Sequence, residues 1–179
     1  MLGVINPAQQ KLHLGANMAS IKVVISGITG KMGLEAVAAV SRESNLELVG
    51  GTCKQDRGWP TLSTLHSTAV PLSTDLDTML EQTKPDVLVD FTNSAVAMEA
   101  AAKAAVRSIN IIMGASGFTE DQLKQLDAMA NDNGVGIIVA PNFALGAIVL
   151  KKLAEQAAPY FDYVDIIESH HEAKIDSPS

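Results

Sequence analysis

Residues 21–33 read IKVVISGITGKMG, an apolar run that breaks into glycines. Val23, Val24 and Ile25 are consecutive and β-branched, which suits a strand buried on both faces of a parallel sheet. Gly27, Gly30 and Gly33 then recur at every third position before helical periodicity begins. A strand, a glycine turn and a helix N-terminus let free backbone N–H groups reach a pyrophosphate with no Cβ in the way. The phosphate-binding turn is therefore expected at Gly27, Ile28, Thr29, Gly30, Lys31 and Met32. Glycine turns of this kind also join strands to helices without any ligand, so the rest of the chain decides.

Downstream, Met32 to about Glu43 carries apolar residues at helical spacing, and Leu46–Thr52 reads as the second strand. The tip of that strand faces the adenosine ribose in a dinucleotide fold, where a carboxylate suits a free 2′-hydroxyl and a cation a 2′-phosphate. Here the tip is Cys53-Lys54-Gln55-Asp56-Arg57, which leans towards a 2′-phosphate held by Lys54 and so towards NADPH, with NADH possible. Residues 58–74 contain the single Trp, two prolines and many Ser and Thr, and read as a long irregular loop. After it, helices are expected at 76–82, 95–106 and 120–133, the last with Thr119 as N-cap, and strands at 86–90, 109–113 and 136–140. Strands alternating with helices at this rhythm specify an α/β protein with a Rossmann-type, doubly wound parallel sheet. Three strands end in small or polar residues, Asp90-Phe91-Thr92-Asn93, Gly114-Ala115-Ser116-Gly117 and Ala140-Pro141-Asn142-Phe143, and would line the nicotinamide half of the site.

Beyond Phe143 the pattern changes. A helix over 145–158, stopped by Pro159, leads to an expected strand over 163–169 and then to His170-His171-Glu172-Ala173-Lys174. The expected organisation is a flexible tail at 1–20, a dinucleotide-binding domain at 21–143 and the beginning of a substrate-binding domain at 144–179. Met18, shortly before the first strand, is a candidate for the natural start. Two histidines and a lysine suit proton transfer to an anionic, imine-like substrate, with cations holding its carboxylates. Metal ligation is the rival reading, with Glu172 and Asp176 as further ligand atoms, but adjacent side chains on a strand point apart and no third His or Cys is near, so no metal is expected.

The 179-residue chain carries a net charge of −7, which disfavours nucleic acid or a membrane surface as partner. Its one cysteine, Cys53, excludes an internal disulfide and fits a reducing cytoplasm. No apolar run is long enough to span a membrane.

The closing stretch ESHHEAKIDSPS resembles the signature of the 4-hydroxy-tetrahydrodipicolinate (dihydrodipicolinate) reductase family, E-x-H-H-x-x-K-x-D-x-P-S-G-T-A. The resemblance extends over about 21–179 and includes GITGKMG, the DFT after a strand, Gly114–Gly117 and the APNF at 140–143. It implies hydride transfer from NAD(P)H to a cyclic dicarboxylate in lysine and diaminopimelate synthesis, by a cytoplasmic homo-oligomer, a homotetramer in full-length form. His170 would be the acid/base group, Lys174 a proton donor and His171 a substrate ligand. Cofactor contacts would fall on Gly27–Met32, Lys54, Gly114, Ala115, Ser116, Ala140, Pro141, Asn142 and Phe143. The sequence departs from the family pattern at Cys53, where an acid is usual, at Ala115 and Ser116 in place of two threonines, and at Ser94 in place of proline. The family's G-T-A and most of its substrate domain would follow Ser179, so a longer protein or a completing partner is expected.

Overall fold

The apolar run at 21–26 becomes the central strand of the sheet, with Val23, Val24 and Ile25 buried. A computed structural model describes residues 19–55, 61–63 and 69–167. In chain order the elements are β1 (Ile21–Ser26), α1 (Lys31–Arg42), β2 (Leu46–Thr52), β3 (Thr61–Ser63), β4 (Ala69–Ser73), α2 (Leu76–Thr83), β5 (Val87–Asp90), α3 (Ser94–Ala105), β6 (Asn110–Met113), α4 (Glu120–Asn133), β7 (Ile137–Val139) and α5 (Leu145–Ala157), followed by a 3-10 turn at Ala158–Tyr160.

Among the described residues the strands form one sheet of seven in the order β3-β4-β2-β1-β5-β6-β7, parallel except for β3 against β4. The order runs one way from β1 to β2 and the other way from β1 to β5, so a topological switch point lies between β1 and β5. Alternation along β1 divides the core. Val23 and Ile25 pack with Ile28, Val37 and Val40 under α1. Val24 faces the other way, with Leu88, Ile111 and Met113, beneath α2, α3 and α4. Five buried alanines, Ala97, Ala100, Ala101, Ala104 and Ala105, form the face of α3 turned to the sheet. Truncating fully buried Leu88 to alanine would cost about 2–5 kcal/mol.

Two expectations are corrected. The loop expected at 58–74 contains β3 and β4, and β4 is a full member of the parallel sheet beside β2. Pro71 reads as a breaker, yet it sits in a short strand near the sheet edge, and burial of Val70 and packing of Leu72 decide the conformation. Residues 163–167 are not a strand: no other described strand pairs with them, and Ile166 and Ile167 are exposed. Residues 168–169 of that expected strand lie outside the described residues.

The chain divides into two compact units, 1–141 and 142–179. The second contains α5, whose Leu145, Val149, Leu150 and Leu153 are all exposed.

Candidate functional site

The glycine turn follows directly from the end of the β1 ladder. The N–H groups of Gly27 and Ile28 both donate to the Thr52 carbonyl at 3.0 Å, which folds the chain back across the tip of β2. Gly27 has φ +75°, and a Cβ there would lie 2.7 Å from the Phe91 carbonyl oxygen. Gly33, on the first turn of α1, sits so close that a Cβ would come within 2.7 Å of the Ile28 backbone. The two glycines press α1, the turn and the tip of β5 together. Gly30 is freer: a Cβ there would approach only the Gly27 carbonyl, at 3.3 Å.

The first turn of α1 is Lys31-Met32-Gly33, with Gly30 as N-cap, no side-chain cap and no acidic residue. Its leading N–H groups have no partner within the helix, and they carry the positive end of the helix dipole. The other described helices of the first unit are closed at this end. Asp75 accepts from Asp77 N–H at α2, Asn93 from Val96 N–H at α3, and Thr119 from Gln122 N–H at α4.

Beside the turn, at the carboxyl ends of β1, β2 and β5, lies a cleft of about 570 Å³. Gly27, Thr29 and Gly30 form one wall, Thr52, Cys53 and Lys54 a second, and Phe91, Thr92 and Asn93 a third. Lys54 is exposed and makes no ion pair among the described residues. The buried Cys53 thiol donates to the Gln55 carbonyl at 3.2 Å. Lys103, also in the cleft, is engaged by Asp77 at 2.8 Å, and that contact raises its pKa above the usual lysine range. The Thr78 hydroxyl holds the Asp75 carboxyl below the ordinary 3.8, and the Lys103 ammonium does the same for Asp77.

The expected site residues are only partly assembled here. Gly27, Thr29, Gly30 and Lys54 line the cleft. Ile28 turns its side chain into the core beneath Gly51, and Lys31 and Met32 are exposed on the first turn of α1. Gly114, Ala115 and Ser116 follow β6 on the next strand over, where Ala115 is buried in the core. Ala140 and Pro141 follow β7, the Ala140 N–H donating to the Met113 carbonyl at 2.8 Å, whereas Asn142 and Phe143 belong to the second unit. His170, His171 and Lys174 lie outside the described residues.

One wall went unread in the sequence. Val96, Glu99, Ala100 and Lys103 of α3 line the cleft, and Thr74, Asp75 and Leu76 close its end. Their spacing of i, i+3, i+4 and i+7 marks one helical face, but an alanine-rich helix reads as core until the topology sets it beside the switch point.

The cleft suits a nucleotide with a diphosphate. Its open helix N-terminus can take the anionic centre, its glycine floor permits close approach, and its volume is within the range of ligand sites. Among the described residues, no helix is long and apolar enough to cross a membrane.

Comparison with known proteins matches residues 21–143 to the family described as dihydrodipicolinate reductase, N-terminus. A 4-hydroxy-tetrahydrodipicolinate reductase of Dehalococcoides mccartyi is 41% identical over 162 residues, covering 90% of this chain and 62% of that protein. Its counterpart in Bacillus pumilus is 41% identical over 161 residues, covering 89% and 60%. The solved structure of a dipicolinate-bound dihydrodipicolinate reductase from Paenisporosarcina sp. TG-14 is similar at TM-score 0.72 and 38% identity, over 89% of this chain and 62% of that one. The chain thus spans about 60% of the length of the relatives it matches.

Proposed function

The chain belongs to the dihydrodipicolinate reductase family, and we propose that it forms the cofactor-binding part of an NAD(P)H-dependent reductase of 4-hydroxy-tetrahydrodipicolinate in lysine and diaminopimelate synthesis. The observation that carries this reading is the helix N-terminus of α1, the one among the described helices of the first unit with no side-chain cap, set beside a cleft at the switch point.

The nicotinamide cofactor, when bound, supplies the hydride. The first-turn N–H groups of α1 and the turn Gly27–Met32 hold its diphosphate, and the glycines keep side chains out of the way. Lys54 favours a 2′-phosphate and hence NADPH over NADH, since it faces the cleft without a counter-ion among the described residues. Gly114–Ser116 and Ala140–Phe143 continue the site towards the reacting ring. His170 handles the proton, Lys174 donates it as negative charge develops on the substrate ring, and His171 binds a carboxylate. The domain boundary falls near Phe143, and the assembled enzyme is a cytoplasmic homo-oligomer that binds a small dicarboxylate.

Turnover tests this directly in the protein carried on to its relatives' full length. His170→Ala and Lys174→Ala should each lower turnover by roughly 10²–10⁴ with cofactor affinity unchanged. In the same assay Lys54→Glu should raise the KM for NADPH more than that for NADH. Undiminished turnover in both Ala variants would remove the catalytic assignment, and equal changes for the two cofactors would remove Lys54 from the 2′-phosphate.

A further inference from the structure

Asp90 closes β5 at the switch point and, among the described residues, is the one charged residue with a fully buried side chain. It shares a face with Leu88, and Met113 is its partner across the β5–β6 ladder. Its Oδ1 accepts from the Thr92 N–H at 3.0 Å and from the Thr92 hydroxyl at 2.7 Å. Its Oδ2 is buried with no hydrogen-bond partner. A half-satisfied buried carboxylate is a standing cost to folding, and such groups call for a role elsewhere.

The surroundings give that role. The β1–β5 ladder ends with the Phe91 N–H donating to the Ser26 carbonyl, and α3 begins only at its cap, Asn93. Between the two, the Thr92 backbone is tied by Asp90. The same two residues stand against the glycine turn: a Cβ at Gly27 would meet the Phe91 carbonyl at 2.7 Å and the Thr92 methyl at 3.3 Å. Phe91 and Thr92 also line the cleft. A shift of a few tenths of an ångström here would reach the floor on which the diphosphate is to sit.

We propose that Asp90 is a positioning residue of the cofactor cleft, acting through the Oδ1–Thr92 bonds that fix the Phe91–Thr92 wall against the glycine turn. It touches no part of the nucleotide. Its link to cofactor binding rests on the cleft being the nucleotide site, whereas its hold on the wall does not.

The test compares Asp90→Leu, which keeps the γ-branched shape without an acceptor, with Asp90→Asn, which keeps one. NADPH affinity is read by titration, folding by thermal melting, and the wall by hydrogen exchange at the Thr92 amide. The Leu variant should stay folded, bind NADPH at least about tenfold more weakly and exchange the Thr92 amide at least about tenfold faster, with the Leu88 and Ile111 amides unmoved. The Asn variant should recover affinity to within about threefold of wild type. Normal affinity and slow Thr92 exchange in a folded Leu variant would overturn the proposal. So would equal losses in the Leu and Asn variants, which would make charge and not the acceptor the cause. Should the Leu variant not fold, Thr92→Val removes the hydroxyl donor at constant volume. It should speed Thr92 exchange and weaken binding, with Thr92→Ser restoring both, and an unaffected Val variant would count against Asp90. If the wild-type chain bound no nicotinamide cofactor, the reading of the cleft would fail, while exchange at Thr92 would still decide whether Asp90 holds the wall.

Discussion

Two helices of the first unit, α1 and α4, each follow a parallel strand and begin in opposite ways. At α4 the cap is Thr119 and the first turn is Glu120-Asp121-Gln122, a complete capping box with two acids against the helix dipole. At α1 the cap is Gly30 and the first turn is Lys31-Met32-Gly33. Every position that satisfies the N-terminus of α4 is replaced at α1 by a residue that leaves it unsatisfied. The closed end needs nothing from outside, whereas the open end stands beside the cleft with no side-chain cap and its N–H groups can donate to an anion.

The largest effect is expected where the open end is held down. Gly33→Ala would drive a Cβ into the Ile28 backbone, which cannot swing aside as a side chain would. It should cost about 3 kcal/mol in urea unfolding. A change under about 1 kcal/mol would mean that α1 does not need its close seat on the turn.

Next comes closing the open end. Lys31→Glu puts an acid in the first turn of α1, so it should leave stability unchanged or raise it by about 0.3–1 kcal/mol. It should weaken NADPH binding by about tenfold or more. Stability and affinity moving together would break the contrast between the two helices.

Opening the closed end should do the reverse. Thr119→Ala should lower stability by about 1 kcal/mol in the same unfolding experiment and leave cofactor affinity alone.

The smallest effect concerns the neighbouring α2, whose N-terminal acids Asp75 and Asp77 both titrate below the ordinary 3.8. A depressed carboxylate stabilises the fold above its unfolded pKa and stops doing so as pH falls through its folded value. Stability should therefore be insensitive to these groups near neutrality and decline below about pH 4, a decline that Asp77→Asn should shallow. Asp75 is exposed and Asp77 only half-buried, so the change should be slight and should shrink in high salt.

Local signals were legible in proportion to how locally they act. The capping chemistry of Thr119 and the periodicity after it fixed the bounds of α4 from sequence, and the glycine spacing located the turn and α1. Strand β4 was not legible because Pro71 and its Ser and Thr neighbours carry a loop signal, which burial of Val70, packing of Leu72 and pairing with β2 and β3 override. Residues 163–167 have the composition of a strand, yet a strand forms only with a partner, and the described residues provide none. The α3 wall of the cleft was hidden for a similar reason. Glu99 and Lys103 gain their position from the order of the sheet, which no spacing along the helix encodes.

The most direct measurement is a calorimetric titration of the 179-residue chain with NADPH and then NADH, repeated on Lys31→Glu. Saturable binding, tighter for NADPH and weakened in the variant, is the predicted result. Absence of binding to either cofactor, or equal binding by wild type and Lys31→Glu, would contradict the claim that the open end of α1 is the cofactor's anion site.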